Sequence, residues 1–400
     1  MIRQSTFVVS GLIGASVLLG VQQLSKHQNT ILDSALTYEY SFTHNAEVQS
    51  SYTGTITALY TTSHTPEEKR EEYKKVSGFF SAPVYLLTDA QFSSQGNVHS
   101  KSVEHVFHRW MRDLFLFSKD SVLANPYIIL NRDSSPRNKR HFIDQVRDSL
   151  DILVDEGFEP ETTPFMFEGG QVLRTDAYTL VPDFFNDARN FMIPSEALSE
   201  YEIKQLYTNS VGNTLFVPTS VDGQSYLSGH LDMFITPVDA NTVFVADYEL
   251  GKEFLEQVSE EELAIFKQHL TDRYMHKGGH TPKQVSVVPS PGGEEVFNQA
   301  ASFLSQYFTV KRMPFVQFEI EGETNEKGEN HEIMISYNNV LLDYSSGKAV
   351  IPSFGLPVLD AYAEQMYREQ GYTSLLVLDS IDGAITHSGI HCDYLEKRSY

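Results

Sequence analysis

From about residue 80 onward, short apolar runs alternate with amphipathic segments, and this alternation restricts the fold more than any other feature of the chain. Strand-length runs rich in Val, Ile, Leu, Phe and Thr fall at residues 84–88, 127–130, 172–181, 214–217, 242–246, 285–288, 315–320, 333–342 and 375–378. Helical periodicity falls between them, at 140–155, 195–207, 259–273, 294–307 and 357–370. Strands and helices that interleave over the whole length predict an α/β fold, since each sheet must be covered by the helices that separate its strands. No low-complexity linker interrupts residues 80–400, so this stretch reads as one domain of catalytic size, and no internal repeat is visible in it. Residues 27–79 read as a polar leader followed by a charged helix at 65–76. There Thr65-Pro66-Glu67-Glu68 supplies the cap, the proline and the acidic first turn of a helix start.

Charge and cysteine content narrow the function classes. The chain carries 30 Lys+Arg against 53 Asp+Glu, a formal charge of −23, with no long basic run. Such a surface is ill suited to phosphate backbones or anionic lipid and well suited to attracting a cation. One cysteine excludes an intramolecular disulfide, a Cys-x-x-Cys redox pair and any multi-cysteine metal or iron–sulfur site. No metal and no organic cofactor is expected. Residues 1–26 combine Arg3 with an uncharged, apolar stretch, so they read as a signal peptide or an uncleaved N-terminal anchor. An extracytoplasmic protein is therefore expected, whether secreted, periplasmic or membrane-anchored. In an oxidising compartment a lone thiol has no partner for mispairing within its chain.

Four short segments hold residues able to do chemistry: Trp110-Met111-Arg112-Asp113, Phe167-Glu168-Gly169-Gly170, Gly229-His230-Leu231-Asp232 and Ser388-Gly389-Ile390-His391-Cys392. The first uses the only tryptophan and the last the only cysteine. Each alone has a bland reading. An isolated cysteine is usually an inert core residue, Glu-Gly-Gly is a common turn, and Trp-x-Arg-Asp suits an aromatic anchor beside a surface ion pair. His-x-Asp on an extended segment puts both side chains on one face, but two ligands do not make a metal site. His391 would point away from Cys392 on such a segment, which makes it the weaker candidate for a base.

Taken together the segments form a chemical set. A thiol nucleophile needs a base or a cationic neighbour, which His230 supplies, and the histidine needs a carboxylate such as Glu168 to fix its tautomer. Asp113 and Asp232 then remain. Two carboxylates are awkward for acyl transfer, which wants oxyanion donors, but they match the forked N–H donors of a planar guanidinium.

In this order the segments resemble the guanidino-group-modifying enzyme superfamily, the penteins, and are most similar to agmatine deiminases and bacterial peptidylarginine deiminases. Trp110-Met111-Arg112-Asp113 resembles the family's Trp-x-Arg-Asp, Glu168-Gly169-Gly170 its Glu-Gly-Gly, and Gly229-His230-Leu231-Asp232 its Gly-His-x-Asp. The Gly389-Ile390-His391-Cys392 ending, preceded by Ser336-Tyr337-Asn338-Asn339 and Val350-Ile351-Pro352-Ser353-Phe354-Gly355, strengthens the likeness. Ser388 stands where that motif usually has glycine. The resemblance implies a five-bladed α/β propeller of ββαβ units around a central site. It implies Cys392 as nucleophile, His230 as general acid/base and Glu168 as its orienting partner. Asp113, Asp232, Trp110, Arg112 and Gly169 would bind substrate.

The expected reaction is hydrolytic deimination of arginine, agmatine or peptidylarginine to a ureido product and ammonia. Arg174 and Arg109 are candidates to hold a substrate carboxylate. The expected partner is a small guanidino compound or an arginyl peptide, with no nucleic acid. Two alternatives stay open, an amidinotransferase and a non-catalytic protein that binds arginine or a basic peptide.

Overall fold

The structure, a computed structural model, describes residues 41–42, 48–49, 51–106, 110–119, 121–125, 137–163, 165, 167–183, 199–222, 224–276, 284–287, 291–324, 330–386 and 389–399. Within these the alternation resolves into one unit used repeatedly: two antiparallel strands, a helix, and a third strand parallel to the second. Phe115–Phe117 and Ser121–Ala124 form the first hairpin, and the helix Arg137–Asp155 carries the chain to Glu159–Thr162. Leu173–Arg174, Thr179–Pro182, Glu200–Val211 and Thr214–Val217 repeat the pattern. In the third unit Ile235–Pro237 and Thr242–Asp247 are followed by the helices Tyr248–Leu255, Glu260–His276 and Pro291–Leu304, then by the strand Thr309–Thr324. The fourth is Leu341–Asp343, Lys348–Ser353, Pro357–Glu369 and Ser374–Asp379.

The two ends of the described chain make the fifth. Leu395–Ser399 pairs antiparallel with Thr55–Thr62, and the helix Arg70–Phe80 then leads to the parallel strand Val84–Thr88. Each helix is what lets a strand return parallel to its neighbour, since a tight turn cannot make that connection. The expected α/β propeller of ββαβ units is therefore the fold. The repeat that no sequence similarity discloses is structural.

Several expected elements are corrected by this topology. Residues 172–181 are not one strand but two, because Thr175 turns the chain: its N–H donates to the Tyr178 carbonyl at 2.8 Å and its Oγ1 accepts from the Tyr178 N–H at 2.9 Å. Residues 333–342 also break in two. The strand Asn330–Ser336 ends where Asn338 turns inward to donate to Thr236 Oγ1 at 3.1 Å. Residues 55–62 and 70–80, which the sequence assigns to a leader and a charged helix ahead of the domain, supply a strand and the helix of the fifth unit. The helix expected at 195–207 spans Glu200–Val211, its start set by a capping box in which Ser199 and Glu202 satisfy each other's backbone N–H groups. Residues 1–26 and the strand expected at 127–130 lie outside the described residues. Among the described residues no helix is long and apolar enough to cross a membrane.

Burial follows the units. The buried apolar side chains fall into five clusters among the described residues, lying between sheets and the helices that cover them. Cys392 is 4% exposed and packs with Leu231, Phe234 and Phe315 in one of these.

Candidate active site

Each unit's first strand is preceded by a tight turn, and these turns carry the residues singled out by the sequence. They are the 3-10 turns Met111–Asp113, Gly169–Gln171 and Leu231–Met233, the bend at residues 337–340, and the short helix Ile390–Asp393. The five turns touch in a closed ring. A Cβ on Gly169 would lie 2.2 Å from the Arg112 carbonyl oxygen, so the second turn sits directly on the first. A Cβ on Gly170 would lie 2.5 Å from Asp232 Oδ1 and 2.6 Å from His230 Nδ1, which joins the second turn to the third. Asn339 donates to the Asp232 carbonyl at 3.4 Å and accepts from the His391 N–H at 2.7 Å, joining third to fourth to fifth. Arg112 Nε closes the ring by donating to the His391 carbonyl at 3.0 Å.

The reactive groups meet inside this ring. Cys392 Sγ lies 3.4 Å from Asp232 Oδ2 and accepts from Asn339 Nδ2 at 3.2 Å. His230 Nε2 donates to Glu168 Oε2 at 2.5 Å, and its Nδ1 is 3.9 Å from Asp232 Oδ1. Asp113 and Asp232 are both 2% exposed. Asp232 Oδ2 is engaged by His391 Nδ1 at 2.9 Å, whereas Asp232 Oδ1 is buried and accepts no hydrogen bond from the described residues. A buried carboxylate oxygen of this kind carries a large desolvation cost unless a donor arrives to meet it. Trp110 is half-buried and packs on the cluster that contains Cys392.

Electrostatics sets the resting protonation states. Burial opposes a charged His230, but the Glu168 hydrogen bond and the carboxylates of Asp113, Glu168 and Asp232 outweigh it and raise its pKa to about 10. His230 is thus an imidazolium at neutral pH. Cys392 moves the other way for a thiol: burial first, then the charges of Asp232 and Asp113, push it well above its ordinary value. Burial also opposes ionisation of Asp232, yet the His391 hydrogen bond and the surrounding cations hold its pKa down to about 2. The resting site is a thiol, an imidazolium and ionised aspartate.

Cys392, His230, Glu168, Asp113 and Asp232 converge as the sequence expects, but other residues stand elsewhere. Arg112 does not face the site: it is 5% exposed, paired with Glu396, and donates to the His391 backbone. On a tight 3-10 turn, neighbouring side chains diverge, so adjacency to Asp113 in sequence is not adjacency in the site. Gly169 packs on the Arg112 backbone, and the glycine that borders the reactive groups is Gly170. His230 and Asp232 lie on consecutive 3-10 turns instead of an extended segment. His391 sits on a helical turn, so it reaches Asp232 and does not point to the opposite face. Arg174 donates to Thr179 Oγ1 at 3.2 Å within its own hairpin. Arg109 and Ser388 lie outside the described residues. Asn339 is the site residue that sequence reasoning quoted without giving it a role.

Gly170 makes the tolerance of this ring testable. Gly170→Ala is expected to force Asp232 and His230 apart, costing about 1–3 kcal/mol as overpacking does, with activity reduced about tenfold or more. Unchanged kinetics in the alanine variant would show that the turn can shift without disturbing the site.

No family model matches the sequence, and none of the curated proteins does either. Solved structures do match. The chain shares the α/β fold of solved agmatine deiminase structures. It is similar to C. jejuni agmatine deiminase at 12% identity, covering 90% of this chain and 98% of that one, with a TM-score of 0.58. An Enterococcus faecalis agmatine deiminase matches at 12% identity over 89% and 96% of the two chains, also at 0.58. A structure provisionally named a peptidyl-arginine deiminase matches at 13% identity over 90% and 99%, at 0.56. At these identities the likeness establishes the fold, and the chemistry rests on the residues themselves.

Proposed function

We propose that this chain is a hydrolytic deiminase acting on a guanidino group. The observation that carries the reading is the pairing of the only cysteine with a buried carboxylate, Asp232, whose second oxygen accepts no hydrogen bond among the described residues, beside a histidine held by a carboxylate. The names of the agmatine deiminase neighbours support the same substrate class. Asp113 and Asp232 receive the guanidinium. A planar cation offers several N–H donors at fixed spacing, which suits two carboxylates better than any neutral group would. Its positive charge offsets the two anions that keep Cys392 protonated, so substrate binding lowers the cost of losing the thiol proton to solvent. Nucleophile activation is thereby tied to the presence of substrate.

The Cys392 thiolate attacks the central guanidino carbon, forming a C–S bond and a neutral tetrahedral adduct. His230, already protonated, gives its proton to one amino nitrogen, and the C–N bond breaks to release ammonia and leave an S-alkylthiouronium cation. Neutral His230 then takes a proton from water as the oxygen attacks the same carbon. Collapse of the second adduct breaks the C–S bond, returns sulfur as thiol with the hydroxyl proton, and yields the ureido product. The acidic surface favours approach of a cation, and the uncharged N-terminal window supports a place of action outside the cytoplasm.

Incubation with agmatine, free arginine and an arginyl peptide, with ammonia and ureido product measured together, tests the proposal. Stoichiometric formation of both from at least one of them is expected. Absence of product from all of them overturns it. Transfer of the amidino group to added glycine or ornithine without ammonia release would reassign the chain to amidino transfer.

A further inference from the structure

We propose that His391 is a positioning residue: its Nδ1–H clamps one oxygen of Asp232 so that the other stays turned toward the guanidinium. This deepens the deiminase reading and rests on it. Asp232 Oδ2 lies 2.9 Å from His391 Nδ1, and an ionised carboxylate oxygen can only accept, so the ring proton is on Nδ1. The other ring nitrogen, Nε2, is 3.9 Å from Glu396 Oε1, beyond hydrogen-bond reach. Glu396 is already occupied by Arg112 and by Arg398 Nη2 at 3.2 Å. The charged groups acting on the imidazole are thus the Arg112 guanidinium and the carboxylates of Asp232 and Glu396, with Arg398 paired to Glu396. Burial first, then the Arg112 guanidinium, outweigh the two carboxylates and hold the ring's pKa below the ordinary imidazole value.

The ring's direction is fixed from the backbone as well. The His391 N–H donates to Asn339 Oδ1 at 2.7 Å and its carbonyl accepts from Arg112 Nε at 3.0 Å, so the residue is pinned on both sides. Asp232 Oδ2 also lies 3.4 Å from Cys392 Sγ. Without the clamp, rotation of the carboxylate would carry Oδ1 away from the position facing His230 and Gly170, where no donor of the described residues meets it. His391 touches neither the reacting carbon nor the thiol in this scheme. It acts through Asp232.

Three variants and one spectroscopic measurement separate positioning from mere packing. His391→Leu keeps the bulk and removes the donor, and is expected to lower kcat/KM about 10- to 100-fold, mainly through KM, as loss of a hydrogen bond to a charged group does. His391→Asn returns an N–H close to the Nδ1 position and is expected to recover most of that loss. His391→Gln places its N–H on the Nε2 side, toward Glu396, and is not expected to recover it. ¹⁵N-histidine spectra of the wild-type protein, assigned by the signal lost in His391→Asn, should show a ring protonated at Nδ1, the nitrogen that faces Asp232. A neutral ring protonated only at Nε2 overturns the proposal, as does His391→Leu with wild-type kinetics or His391→Gln rescuing as well as His391→Asn. If the wild-type protein deiminates nothing, the deiminase reading fails separately, and the ring tautomer alone decides whether His391 clamps Asp232.

Discussion

Cys392→Ala is expected to leave the fold intact and to abolish ammonia release, whereas Asp232→Asn should sharply reduce turnover while making Cys392 more reactive. The first follows from the thiol being the only nucleophile among the five turns and from the small volume lost on replacing it. The second separates two jobs of one carboxylate. As a ligand, Asp232 meets the guanidinium with its free oxygen, and neutralising it should cut kcat/KM about 100-fold or more, as disabling one member of a buried charge pair does. As a neighbour, it stands second only to burial in holding the thiol protonated. Removing its charge lowers the thiol pKa, so the thiolate fraction at neutral pH rises. Iodoacetamide is uncharged, and its rate of reaction with the only cysteine therefore reports that fraction. Asparagine keeps an oxygen able to accept from His391 Nδ1, which preserves the packing. Alkylation that is slower or unchanged in Asp232→Asn would show that Asp232 does not control the thiol. Full turnover by Cys392→Ala would remove the cysteine from the mechanism altogether.

Much of this arrangement was legible in the sequence, and the rest was hidden for identifiable reasons. Alternation of apolar runs with amphipathic segments is a local property, so the α/β class could be read directly. The fivefold repeat could not, because the units share strand order without sharing residues. One thread does run through them. Asp113, Gly170, Asp232, Asn339 and Cys392 are each followed two and three positions later by buried apolar residues: Phe115-Leu116, Val172-Leu173, Phe234-Ile235, Leu341-Leu342 and Tyr394-Leu395. That offset is the start of each unit's first strand, and aligning on it would have drawn Asn339 into the site. The fifth unit was out of reach for another reason. Its hairpin pairs Thr55–Thr62 with Leu395–Ser399, and no local pattern announces a partner at the far end of the chain. Arg112 and Gly169 were misassigned because neighbours in sequence need not face the same way on a 3-10 turn. The candidate site residues were easier to pick out than the architecture, since a cysteine, a histidine and three carboxylates form a chemical set before their positions are known.

Glu396 is where the architecture and the chemistry meet, and Glu396→Gln is expected to destabilise the protein by about 3–5 kcal/mol, the cost of stranding buried charge. Glu396 is 5% exposed and lies between Arg112 and Arg398, which are 5% and 4% exposed. Losing its charge leaves two guanidinium groups without their counterion. Arg112→Met should cost less, because Glu396 would keep Arg398. The order of these two variants in chemical denaturation is therefore diagnostic, and an Arg112→Met variant less stable than Glu396→Gln would contradict the assignment. The pH dependence has a definite sign. Burial opposes ionisation of Glu396, but Arg112 and Arg398 hold its folded-state pKa down to about 2, below the ordinary value of 4.5. Its contribution is then complete above pH 4.5 and is lost as pH falls toward 2. Asp232, also held near 2, titrates in the same window, so Glu396→Gln should reduce the acid sensitivity without removing it. A variant whose stability falls with acid as steeply as the wild type would place the titrating group elsewhere. Because Arg112 also holds the His391 carbonyl, the destabilised variants should lose activity in step with the clamp on Asp232.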